Sequence, residues 1–246
     1  MAQFVLVHGS FHGSWCWSRL APRLAALGHA VTAPDLPGSG DDPAPREKAN
    51  LATYAARVAQ AIDACPGPVI LVGHSMGGIV SAQVSEWRAE RLAATVYVNG
   101  LLFRPGETLV GFLEAHAHLG VEDLVLKNMQ VAPDGATATF PASAAGDIFY
   151  NCCTPEDAAW AAGRLTPQRM AVYADPLMLS EARFGRVRRF YVEGTRDAAV
   201  PLVYQRAMTE RTPCEAIVTL ECDHSPFLSV PDALAQTLDD IAARVA

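Results

Sequence analysis

From Pro68 to Val84 the chain passes from an apolar, β-branched run, Pro68-Val69-Ile70-Leu71-Val72, through Gly73-His74-Ser75-Met76-Gly77-Gly78 into Ile79-Val80-Ser81-Ala82-Gln83-Val84. A strand, a glycine-rich turn and a helix follow one another with no linker. A serine at so sharp a turn is held in a strained backbone conformation, so positions 73 and 77 must lack side chains that would clash. The turn lifts the hydroxyl above the sheet. The helix that follows directs its positive end and unpaired N–H groups at any oxyanion formed there.

Around this segment, short β-branched runs alternate with longer amphipathic stretches, the pattern of a parallel sheet covered by helices on both faces. Strands are expected at residues 3–8, 29–33, 68–73, 93–98, 187–193 and 215–220. Helices are expected from Trp15 to Leu27, stopped by Gly28, from Leu51 to Ala64, ended by Pro66, from Met76 to Glu90, and from near Pro231 onward. With 50% of the residues hydrophobic, a sizeable core is available. The alternation breaks between Leu101 and about Arg186, where the chain is rich in Ala and Pro, weak in strand propensity, and carries short helical pieces such as Pro155 to Leu165. Residues 1–100 and 186–246 therefore read as an α/β core, and 101–185 as a lid inserted at the carboxyl edge of the sheet, where open α/β sheets bind ligands.

A serine hydroxyl needs a base within hydrogen-bond reach, and histidine suits the task. Of the seven histidines, His224 lies after the last expected strand, in Glu221-Cys222-Asp223-His224-Ser225-Pro226, on a loop that reaches the carboxyl edge. His74 adjoins the serine but is expected to point away from it, His8 and His12 belong to another loop, and His29 reads as structural. The base needs a carboxylate to fix its tautomer. Asp197, in Gly194-Thr195-Arg196-Asp197, follows a strand and qualifies; Asp223, adjacent to His224, cannot readily turn back onto that ring, and position 99 offers only Asn. Ser75, Asp197 and His224 are the expected catalytic triad. The backbone N–H groups of Met76 and of Ser10, in His8-Gly9-Ser10-Phe11-His12-Gly13, are the expected oxyanion donors. Phe11, Phe149 and Trp160 are candidate substrate contacts, although lid aromatics such as Phe103, Phe112, Phe140, Tyr150 and Trp160, with Met129, also suit plain packing.

A net charge of −7 without a long basic cluster gives no footprint for nucleic acid, and no apolar run approaches the length of a membrane span. The start, Phe4-Val5-Leu6-Val7, lacks signal-peptide character, so a cytoplasmic location is the expectation. The six cysteines show no Cys-x-x-Cys pair and read as reduced thiols. His116-Ala117-His118 has no matching cluster, so no metal is expected, and no cofactor is required. The expected partner is a small ester; a homodimer is left open.

Taken together, His8-Gly9-Ser10-Phe11-His12-Gly13-Ser14-Trp15, Pro34-Asp35-Leu36-Pro37-Gly38-Ser39-Gly40, Gly73-His74-Ser75-Met76-Gly77-Gly78, Asp197-Ala198-Ala199-Val200-Pro201 and Asp223-His224 resemble the plant methylesterase and hydroxynitrile lyase branch of the α/β-hydrolases and its bacterial esterase relatives. The resemblance implies the α/β-hydrolase fold, with its chain order of serine, acid and histidine. It also implies hydrolysis of a small, largely apolar ester through an acyl-enzyme. The lyases of that branch carry Thr after the first-strand His and Lys after the catalytic His; here Gly9 and Ser225 stand there, and a neutral Ser225 cannot stabilise departing cyanide. Lactones, thioesters, perhydrolysis and carbon–carbon bonds remain open with the same triad, as does a ligand receptor retaining a hydrolase site.

Overall fold

The computed structural model describes all residues, Met1–Ala246. Nine strands follow in chain order: β1 (Gln3–Val7), β2 (Ala30–Thr32), β3 (Val69–His74), β4 (Leu92–Val98), β5 (Gln130–Val131), β6 (Thr137–Thr139), β7 (Gln168–Arg169), β8 (Arg189–Gly194) and β9 (Ala216–Leu220). The helices are α1 (Leu20–Ala26), α2 (Leu51–Asp63), α3 (Gly77–Trp87), α4 (Leu109–Ala115), α5 (Leu124–Asn128), α6 (Ala142–Phe149), α7 (Pro155–Ala162), α8 (Ala171–Ala174), α9 (Leu202–Arg211), α10 (Pro226–Ser229) and α11 (Pro231–Val245).

Six strands form one parallel sheet in the order β2-β1-β3-β4-β8-β9. Side chains alternate across it, and both faces are apolar. Phe4, Leu6, Ile70, Val72, Val96 and Phe190 pack with Leu20 and Leu24 of α1 and Leu234, Leu238 and Ile241 of α11. Val5, Val7, Val69, Leu71, Tyr97 and Tyr191 pack with α2, α3 and α9 on the other side. This double burial explains why the strands read as unbroken apolar runs in the sequence. From β1 the chain moves outward to β2, then returns to place β3 on the other flank of β1. The loops after β1 and β3 therefore diverge at a switch point, the place where such sheets form ligand crevices.

Two local expectations are corrected. The stretch from Trp15 to Leu27 is a 3-10 turn, Ser14–Ser18, followed by the short α1. Pro22 has no N–H to give, so a helix continuous from residue 15 would lose a bond there; as third residue of α1 it sits among positions that need no intrahelical acceptor. Residues 101–185, read as poor in strand, contain the antiparallel sheet β5-β6-β7. Its hairpin turns through Pro133-Asp134-Gly135, with Gly135 at φ +68°. Strands this short carry too few residues for a periodic signal.

Candidate active site

Ser75 stands between β3 and α3 with φ +53°, a left-handed conformation rare for any residue with a side chain. The space around it requires bare neighbours. A Cβ on Gly77 would lie 2.5 Å from the Val7 carbonyl oxygen, and one on Gly73 would lie 2.6 Å from the Gly77 carbonyl oxygen. Only two other non-glycine residues have positive φ: Phe11 at +64°, after β1, and Asn99 at +46°, after β4. All three outliers lie on loops at the carboxyl edge, and such clustering of strain marks functional sites.

The base and acid expected from the sequence are brought together. His224 is buried, and its Nδ1–H donates to Asp197 Oδ2 at 2.8 Å. The second Asp197 oxygen accepts the backbone N–H groups of Ala199 and Val200, each at 2.8 Å, and Gln205 Nε2 lies 3.3 Å from Oδ2. With Nδ1 committed to the acid, Nε2 is the free basic nitrogen. Ser75 and His224 line one cavity together with Ser10, Phe11, Phe149 and Tyr173.

Asp223 is placed elsewhere. Its Oδ1 accepts from Ser225 N at 3.0 Å and from the Ser229 hydroxyl at 2.7 Å, while Oδ2 accepts from Cys152 N at 2.8 Å. It ties the His224 loop to the turn after α6, with both carboxylate oxygens occupied away from the ring.

Ser10 lies at the cavity, and neither its N–H nor that of Met76 donates to a backbone carbonyl in the turns around the site. Gly9 lets the first loop approach, because a Cβ there would lie 2.8 Å from Ser75 Cβ. The Ser10 hydroxyl bonds to the Tyr173 hydroxyl, joining this loop to α8 of the insertion.

Of the candidate substrate contacts, Phe11 and Phe149 line the cavity and Trp160 does not. Trp160 packs edge-on against Trp15 at 5.4 Å, with the Arg164 guanidinium over its ring at 4.3 Å; its bulk is satisfied at the outer side of α7. Phe103, Phe112, Phe140 and Tyr150 are core residues, whereas Met129 reaches the cavity. His116 stacks on Phe112 at 4.2 Å and bonds the Phe112 carbonyl.

Several site residues were not expected from the sequence. His74 does not merely point away from Ser75: its Nε2 donates to the His224 carbonyl oxygen at 2.7 Å. His12 donates from Nδ1 to the Ser10 carbonyl at 2.7 Å and accepts the Tyr150 hydroxyl at Nε2, 2.9 Å away. Burial lowers the pKa of His12 to about 3 and holds that of His74 well below its ordinary value, so both serve as neutral struts. The His74 position inside the serine motif was the available signal; Gln205, Tyr173 and Asp123, which also lines the cavity, had none.

A family model described as the alpha/beta hydrolase family matches residues 4–237. Methylesterase 7 of Arabidopsis thaliana is 30% identical over 99% of this chain and 97% of its own length. Putative methylesterase 13, chloroplastic, of the same plant is also 30% identical over 98% of this chain, which spans 56% of that relative's length. Among solved structures, polyneuridine aldehyde esterase superposes with a TM-score of 0.89 at 25% identity, covering 98% of this chain and 99% of its own. The parallel sheet, the strained serine between β3 and α3 and the match over nearly the full length agree: the chain belongs to the alpha/beta hydrolase family.

Proposed function

We propose that the protein is a serine carboxylesterase that cleaves a small, largely apolar ester, with a methyl ester as one candidate. The observation that carries this reading is the His224–Asp197 bond of 2.8 Å beside a cavity that also receives Ser75. The relatives named methylesterases and the esterase neighbour support the same class of reaction.

In this reading His224 Nε2 takes the Ser75 proton as Oγ attacks the ester carbonyl carbon, and the Ser10 and Met76 N–H groups receive the oxyanion. Collapse of the tetrahedral intermediate breaks the bond to the alcohol oxygen, which leaves with the proton from His224. Water, deprotonated by the same nitrogen, attacks the acyl-enzyme; the acid departs and Ser75 regains its proton. Asp197 stays ionised and holds the imidazolium. No Lys or Arg lines the cavity, and Ser225 is neutral, so the permanent positive charge that the lyases of the branch keep after the catalytic His has no counterpart here.

The test is turnover of methyl and p-nitrophenyl esters of graded acyl size by the wild type and by Ser75→Ala, with labelling by a fluorophosphonate. Turnover and labelling that both vanish in the variant support the reading. Ester cleavage that survives Ser75→Ala overturns it, and labelling without cleavage redirects the search to lactones, thioesters or carbon–carbon bonds.

A further inference from the structure

The cavity holding Ser75 and His224 is bounded on the insertion side by Leu109, Val125, Leu126, Met129 and one carboxylate, Asp123. Asp123 is half-buried, and burial pushes its carboxyl pKa upward with no basic side chain among the causes. The nearest basic residue along the chain, Lys127, is paired with Glu122 at 2.7 Å. A carboxylate withdrawn from water is ordinarily paired. This one faces an otherwise apolar cavity without a counter-charge.

Helix capping accounts for part of the arrangement. Asp123 Oδ1 accepts the Leu126 N–H at 2.9 Å at the start of α5. Capping needs only one side-chain oxygen, however, and Asn or Ser serves equally well without a charge. The cap fixes the residue's position, and its charge also suits the positive end of α5, yet the same carboxylate lines a cavity that holds no Lys or Arg.

Two further oxygens line the same cavity, the mutually bonded hydroxyls of Ser10 and Tyr173. Burial is the main cause that raises the Tyr173 phenol, with Tyr54 and, least, Asp123 adding to it. The cavity thus carries one anion and two hydroxyl acceptors among mostly apolar side chains. The chain's net charge of −7 also favours the approach of cations.

We infer that the ester substrate carries a basic amine, and that the Asp123 carboxylate receives its ammonium group while the ester lies at Ser75. This deepens the esterase reading and rests on it. Asp123 is then the specificity-determining residue of the cavity, and the separation of its carboxylate from Ser75 sets the distance from amine to ester.

The test compares methyl esters of straight-chain ω-amino acids, graded in length, with methyl alkanoates of equal length, on the wild type and on Asp123→Asn. That substitution keeps the cap and the volume and removes the charge. At the best-fitting length the wild type should favour the amino ester by about tenfold in kcat/KM, in line with a charged hydrogen bond, and the variant should bring that ratio near unity whatever its absolute rate. A preference that survives in Asp123→Asn overturns the proposal, as does a wild type that favours the neutral ester at every length. If no ester of either series is cleaved, the esterase reading is what has failed. Thermal stabilisation by hexylammonium then decides the amine site by itself: a shift in the wild type that is lost in the variant supports it, and equal or absent shifts overturn it.

Discussion

The rings of His74 and His224 lie 4.6 Å apart, and the buried His74 donates a hydrogen bond to the backbone of the histidine it underlies. His74, the residue before Ser75, thus ties down the loop that carries His224. His74→Ala should lower kcat about 10- to 100-fold with little change in KM, because the base is misplaced while the cavity is retained. Steady-state kinetics check the split. An unchanged kcat in a folded variant would mean that the loop is held by other contacts alone.

Asp197 and Asp223 exchange roles in no simple way. Asp197→Asn should reduce kcat by about 10⁴-fold while the fold survives, since the amide cannot hold the required tautomer. Asp223→Asn loses part of the acceptor set for Ser225, Ser229 and Cys152 and should cost about 1–3 kcal/mol of stability, with a far smaller loss of kcat. Denaturant unfolding run beside kinetics on both variants separates the cases; a reversed pattern would name Asp223 as the acid.

Gly9 presses on Ser75. A Cβ at this position meets Ser75 Cβ at 2.8 Å and His74 Nδ1 at 2.9 Å. Gly9→Ala should therefore displace the loop that carries Ser10, the proposed oxyanion donor, and reduce kcat by about tenfold or more. Gly9→Thr, which restores the residue of the lyase branch, should lose esterase activity without gaining cyanohydrin cleavage. Measured cyanide release from mandelonitrile by that variant would count against this account.

Burial keeps His8, His12 and His74 neutral, His12 down to about 3. Their folded pKa values lie below the unfolded value near 6.5, so the unfolded chain binds more protons as the medium is acidified. The stability they confer is complete above about pH 6.5 and is lost as pH falls toward the folded values, by about 1.4 kcal/mol per pH unit for each ring. Urea unfolding between pH 6.5 and 5 should show this slope, and His12→Gln should lower it by one ring's share. An unchanged slope in the variant would mean that His12 is protonated in the folded protein.

Much of this architecture is legible in the sequence because the parallel sheet is buried on both faces. The inner strands are then compact apolar runs, and the six expected positions, edge strands included, agree with the observed strands to within a residue or two. The serine turn was legible because sterics leave so few sequences for it. Gln205 and Tyr173 were not, since each reaches the site from a helix whose own pattern is set by packing elsewhere. Trp160 was misplaced for a related reason: composition identifies an aromatic in the insertion but not the face of α7 on which it falls. His74 escaped because adjacency to Ser75 suggested divergence, whereas the turn folds its ring under His224.

The insertion divides its apolar residues between the two sides of the sheet. Ala138, Phe140, Ile148, Phe149 and Tyr150 pack with the α1 and α11 side, while Phe103, Phe112, Val172 and Leu177 pack with the α2 and α3 side. A segment rooted in both cores cannot swing aside as a hinged flap without breaking one of them. What stays adjustable at the cavity is its less buried lining, Leu126 and Met129, whose rotamers can reshape the space beside Ser75 while both cores stay packed.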